Sequence, residues 1–180
     1  MTELASPGQL RAALLRWSLF LAPLLLLLGS FSGTAAGSGS GNVWFMGLEK
    51  PALYPPPAIF GIVWTVLYLL MGVALAMIVT ARGAAGRGAA ITAFAVQFLL
   101  NLAWSPLFFA MHQIAAALAL LVVLDLAVIV TIVLFRKVRP LAALLLLPYL
   151  AWALFATALN WQFLSVNPDY ADPPTMALAS

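Results

Sequence analysis

Five apolar stretches, at about residues 12–36, 58–81, 89–111, 114–135 and 141–164, decide what this chain can become. Each approaches the ~20 residues with which an α-helix covers ~30 Å of hydrocarbon. In a bilayer core every backbone N–H and C=O needs an internal partner, and a helix supplies them within one segment. The pattern predicts an all-α integral membrane protein, a bundle of five transmembrane helices. Connectors such as RGAAGRG (82–88) and RKVRP (136–140) are short, so sequence neighbours run antiparallel. The expected organisation is an N-terminal tail over 1–11, a single transmembrane domain over 12–164 and a C-terminal tail over 165–180. The one sizeable interruption is the first connection, residues 42–57.

Composition narrows the chemistry. The chain is 65% hydrophobic and 7% charged, against roughly a quarter charged in soluble domains. Its 8 Lys and Arg are scattered over short loops without a basic stripe, so nucleic acid is not an expected partner. With no cysteine there is no disulfide framework or thiol nucleophile, and a single histidine, His112, excludes a multi-histidine metal site. His112 itself, in the MHQ connection, reads as an interfacial turn residue. No Walker loop, dinucleotide fingerprint, nucleophile elbow or HExxH is present.

Orientation follows from the basic residues on alternate sides of five helices. Arg11, Arg16, Arg82, Arg87, Arg136, Lys137 and Arg139 share one side, and Lys50 is alone on the other. The asymmetry predicts a cytoplasmic N-terminus, with loop 42–57 and the acidic tail (Asp169, Asp172) outside, in a bacterial-type membrane. The first stretch carries an alternative, since Arg11 and Arg16 followed by LFLAPLLLLLG resemble a secretory signal peptide. Gly29, Gly33 and Gly37, four residues apart, favour a retained helix packed closely on a neighbour.

Polar and aromatic residues sort by depth. Trp17 and Trp161 lie near helix ends, as interfacial tryptophans do. Trp64 and Trp104 fall roughly 10 Å below the outer surface at ~1.5 Å per residue, with Trp152 deeper. Gln97, Asn101, Trp104 and Phe108 share one face of the third helix; Pro148, Trp152, Ala156 and Asn160 form a similar row on the fifth; Trp64 and Tyr68 are one turn apart on the second. Amides at such depth either join helices by hydrogen bonds or line a cavity. Their shared level in the outer half points to a cavity beneath the loop. Asp125 is the only acidic residue inside the five stretches. An intramembrane carboxylate is either a proton-relay or coupling group, or a protonated acid hydrogen-bonded across a helix or subunit interface, the latter favoured because no second acidic group accompanies it.

Four ordered segments, WFMGLEKPALYPPP (44–57), FGIVWTVLYLLMG (60–72), NLAWSPLFF (101–109) and LPYLAWALFATALN (147–160), together resemble the TspO/MBR family, the translocator or tryptophan-rich sensory proteins. The resemblance runs from Trp44 to Asn160. It implies a five-helix membrane protein, commonly a homodimer, that binds porphyrins such as protoporphyrin IX or haem-like tetrapyrroles as ligand rather than as resident cofactor, and in some members cholesterol and drug-like molecules. It implies pocket roles for Phe60, Trp64 and Tyr68, for Asn101 and Trp104, and for Trp152, Ala156 and Asn160. Trp44, Lys50, Pro51 and Leu53 would act from the loop, read as a proline-stiffened lid, with Lys50 the cation nearest the porphyrin propionates. Two departures stand out. Leu53 and Ala58 occupy positions where the family's loop tends to carry tryptophan, and the sterol-associated Tyr and Arg at the end of the fifth helix are missing from LNWQFLSVNP.

The leading expectation is a porphyrin receptor, sensor or translocator. The alternatives are an enzyme promoting light-dependent porphyrin breakdown through tryptophan chemistry, and a structural or regulatory membrane subunit.

Overall fold

The computed structural model describes residues 6–170, so the predicted C-terminal Asp172 lies outside the described residues. Five helices are long and apolar enough to cross a membrane: Pro7–Ala35, Pro57–Val79, Arg87–Ala110, Ile114–Val138 and Pro140–Val166. The chain is an integral, multi-pass, all-helical membrane protein.

Helix α1 (Pro7–Ala35) begins several residues before the expected 12 because Ser6, Pro7 and Gln9 form a helix start. The Gln9 N–H donates to Ser6 Oγ at 3.3 Å and the Ser6 N–H to Gln9 Oε1 at 2.8 Å, while Pro7 occupies the first turn, where no backbone donor is needed. Its end is set by Gly37, at φ +69°, with the Ser38 N–H donating to Gly33 O at 2.9 Å. Gly37 is therefore a left-handed stop and not part of a packing stripe. Gly29 does pack closely: a Cβ there would collide with the Tyr68 ring, and one at Gly72 with the backbone of Ala22. Those two contacts bring α1 against α3 (Pro57–Val79).

The first connection contains a short helix, α2 (Val43–Gly47), capped by Asn42. Helix α4 (Arg87–Ser105) passes into a π-helical turn at Pro106–Ala110. Pro106 has no N–H for the carbonyl of Leu102 one turn back, and that carbonyl is taken by Ser32 Oγ of α1 at 2.6 Å. A proline thus becomes an interhelical hydrogen bond. Helix α5 (Ile114–Val138) follows, and the fifth crossing is split into α6 (Pro140–Leu145) and α7 (Leu147–Val166), where Pro148 interrupts the ladder. At the opposite end of α3, Arg87 donates through Nε and Nη2 to carbonyls of Ile78 and Val79 at 2.8–3.2 Å, closing that helix terminus.

Helices pack α1 on α3, α3 on α6, α6 and α7 on α5, α5 on α4, and α4 back on α1. The ring is closed. One end is solid, with Phe94 stacked on both Phe98 and Phe135, and Met71, Ala74 and Ile78 fully buried. The other end holds the space described next.

Candidate functional site

A cavity of about 470 Å³ opens between the helices near the α2 connection, within the range of ligand pockets. Helix α3 gives it Phe60, Trp64 and Tyr68; α4 gives Asn101, Trp104 and, through the π turn, Phe108 and Phe109. From α7 come Trp152, Ala156 and Asn160, and Gly29 and Gly33 of α1 complete the ring. No Asp, Glu, Lys, Arg or His among the described residues borders it.

Its amides are anchored. Tyr68 Oη donates to Asn101 Oδ1 at 2.9 Å, Trp104 Nε1 to Asn160 Oδ1 at 3.2 Å, and Asn160 Nδ2 to the carbonyl of Ile114 at 3.0 Å. Each bond crosses between helices, so Asn101 and Asn160 both join the bundle and line the cavity. Gln97 does only the first: it is fully buried, accepts from Tyr149 Oη at 2.9 Å, and stays behind the wall. Trp64 and Tyr68 stack with centroids 5.2 Å apart at 25°, and Trp104 stacks on Phe108 at 5.1 Å. Rings fixed by such contacts are a pre-formed aromatic surface.

The loop residues distribute differently from expectation. Phe45 and Tyr54 border the cavity, whereas Trp44, Lys50, Pro51 and Leu53 do not. Because 43–47 is a helical turn, Phe45 turns inward while Trp44 turns aside, stacking on His112 at 4.3 Å and meeting Phe108 edge-on. Pro51 is buried within the loop, and Leu53 is 52% exposed on its outer side. Lys50 is bound to the loop itself: its ammonium donates to the carbonyls of Phe45 and Leu48 at 2.6 and 2.8 Å and sits 4.5 Å from the Phe45 ring centroid. Its partial desolvation pulls its pKa below the ordinary lysine value, and burial raises that of the Tyr54 phenol.

Two asparagines tie the loop down. Asn42 Oδ1 accepts from the Phe45 N–H at 2.9 Å while its Nδ2 donates to the carbonyl of Phe109 at 3.1 Å. Asn167, just past α7, accepts from the Glu49 N–H at 2.8 Å and donates to the Glu49 carbonyl at 3.0 Å. Sequence reading missed Asn167 because it lies in the supposed tail, and missed the inward roles of Phe45 and Tyr54 because loop facing has no period to read. The signal for Phe45 was Asn42, a good helix N-cap three residues before it.

An aromatic cavity, free of formal charge among the described residues, inside a ring of five membrane-crossing helices defines a class: multi-pass helical membrane proteins with an internal cavity. The sequence profile of the TspO/MBR family matches residues 20–165, and the chain belongs to that family. It is 36% identical over 145 residues to the tryptophan-rich protein TspO of Chlorobaculum tepidum, covering 80% of this chain and 92% of that one. It is 40% identical over 144 residues to tryptophan-rich protein TspO of Archaeoglobus fulgidus, covering 80% and 93%. With the translocator protein of Homo sapiens it shares 39% identity over 136 residues, 74% of this chain and 80% of the relative.

Proposed function

We propose that this protein is a membrane receptor or translocator for porphyrins, of the protoporphyrin IX type, and related flat hydrophobic molecules, which bind in the helix cavity with the α2 connection as its cap. The observation that carries this reading is the pairing of volume with lining: about 470 Å³ walled by stacked indole and phenol rings and free of formal charge among the described residues. The tetrapyrrole plane lies between the Trp64 and Tyr68 stack and Trp152, and Phe45 and Tyr54 cover it. Its carboxylates point to the rim, where the exposed Ser30, Thr34 and Ser38 border the cavity. Lys50 does not border the cavity, and two of its three ammonium donors are taken by loop carbonyls. In this reading the cap faces outward and the N-terminus is cytoplasmic, following the Lys and Arg asymmetry, and two copies associate as the family resemblance implies.

Titration of the purified chain with protoporphyrin, followed by tryptophan fluorescence, tests the site. Saturable quenching in the wild type that is weakened in the Trp64→Phe, Trp152→Phe double variant is expected, as a phenyl ring offers a smaller stacking face than an indole at both positions. Unchanged affinity in that variant refutes the assignment.

A further inference from the structure

Asp125 is the only acidic residue in the five spans and is 6% exposed, on the face of α5 that meets α7. Its Oδ2 lies 2.7 Å from Thr157 Oγ1, and the same hydroxyl is 3.1 Å from the carbonyl of Ala153. A hydroxyl has one hydrogen. With an ionised carboxylate that hydrogen goes to Oδ2, and Oδ1 remains a buried charged oxygen with no donor among the described residues. With a neutral acid, Oδ2–H donates to Thr157 Oγ1 and the Thr157 hydrogen goes to Ala153. Oδ1 is then only the carbonyl of an uncharged group, and an unpaired buried oxygen costs far less when neutral.

Among the described residues, nothing near Asp125 compensates a charge. The helices packed on α5 carry no Lys, His, Asp or Glu in α4, the π turn, α6 or α7, and Arg87 at the start of α4 is held by α3 carbonyls. On α5 itself Arg136 and Lys137 lie roughly 16 Å away along the axis. The one titratable side chain of α7 is Tyr149, whose hydroxyl donates to Gln97.

We propose that Asp125 is a neutral, proton-bearing acid that clips α5 to α7 directly behind the cavity wall, a positioning residue for the ligand. The clip is flanked by wall residues on both helices: Leu121 and Leu124 on α5, Ala153, Ala156 and Asn160 on α7. Without it, the bond from Asn160 to the Ile114 carbonyl still ties α7 to α5, but the α7 wall around Ala153 and Ala156 loses its polar anchor and can shift. The effect on binding rests on the porphyrin reading; the proton on Asp125 does not.

Infrared spectra of the intact chain in lipid bilayers at neutral pH test the proton. The expected result is a protonated-carboxyl C=O band in the wild type that is absent in Asp125→Asn and shifted in Thr157→Val. Spectra of wild type and Asp125→Asn that coincide in that region overturn the proposal. Protoporphyrin titration tests the positioning. Asp125→Asn, whose amide N–H replaces the acid's donor, is expected within about twofold of wild type, and Asp125→Leu and Thr157→Val about tenfold weaker. The double variant, Leu at 125 and Val at 157, should be no weaker than either single one. Asp125→Asn binding as weakly as Asp125→Leu overturns the proposal, because charge rather than a donated proton would then matter. Should the wild type not bind protoporphyrin, the functional reading falls, and the same variants compared by infrared band and melting temperature decide the clip alone.

Discussion

At the scale of single residues, the loop divides between side chains that meet the cavity and side chains that hold the loop. Phe45 and Tyr54 meet it; Lys50, Pro51 and Trp44 build the support; Leu53 faces away. The family's tryptophan preference at the Leu53 position made that residue the obvious place to strengthen a lid, but an exposed side chain off the cavity wall has no ligand to stack on. Leu53→Trp is therefore expected to leave protoporphyrin affinity within about twofold of wild type. Tyr54→Ala removes a ring that bridges Phe60 and Phe163 at 5.5 and 5.8 Å and is expected to weaken affinity about fivefold to tenfold. Fluorescence titration of the two variants side by side checks both. Trp64, Asn101, Trp104 and Asn160 were legible in the sequence because helical spacing and depth fix facing and level together. No such rule reached Trp44, which the α2 turn sets aside against His112, or Leu53, which lies in the irregular loop beyond that turn.

At the scale of elements, the crossings were readable because a helix in hydrocarbon has almost no alternative, whereas their ends depend on single capping residues and prolines. The Ser6 and Gln9 capping box moved the start of α1, and Pro106 turned the end of α4 into a π turn that carries Phe108 and Phe109 to the cavity. A proline in a transmembrane stretch is easy to see; its freed carbonyl finding Ser32 is not. The α2 connection behaves as an element in its own right, pinned to the ends of α4 and α7 by Asn42 and Asn167. Asn167→Ala removes both bonds to Glu49, each worth about 1 kcal/mol. Faster hydrogen exchange at the Glu49 amide and a porphyrin dissociation rate raised about tenfold are expected, with the helical content by circular dichroism unchanged. An unchanged dissociation rate alongside faster exchange would show that the connection does not retain the ligand.

At the scale of the whole molecule, the packed end and the hollow end depend on how closely α1 and α3 approach. Gly72 against Ala22 and Gly29 against Tyr68 leave no room for a side chain. The sequence pointed to a glycine stripe on α1; the contact uses only Gly29 of that stripe, together with a glycine on the partner helix, because a crossing is local and its partner's residues have no fixed sequence offset. Gly72→Leu is expected to lower stability by about 1–3 kcal/mol through overpacking, read as a lower melting temperature in detergent. Gly33→Ala, whose Cβ would be 3.7 Å from Ser38 Oγ, is the control and should change it little.

The ring order also imposes a schedule on synthesis. α1 and α3 pair early, but the walls bearing Trp152, Ala156 and Asn160 arrive with α7, and the Asn167 tie arrives only after it. A ribosome-bound chain thus has four-fifths of its helices in the membrane before any enclosed cavity exists. A molecule that fills the finished cavity stabilises completed chains and not partial ones, so ligand supply during translation would act on the yield of mature protein as well as on its occupancy.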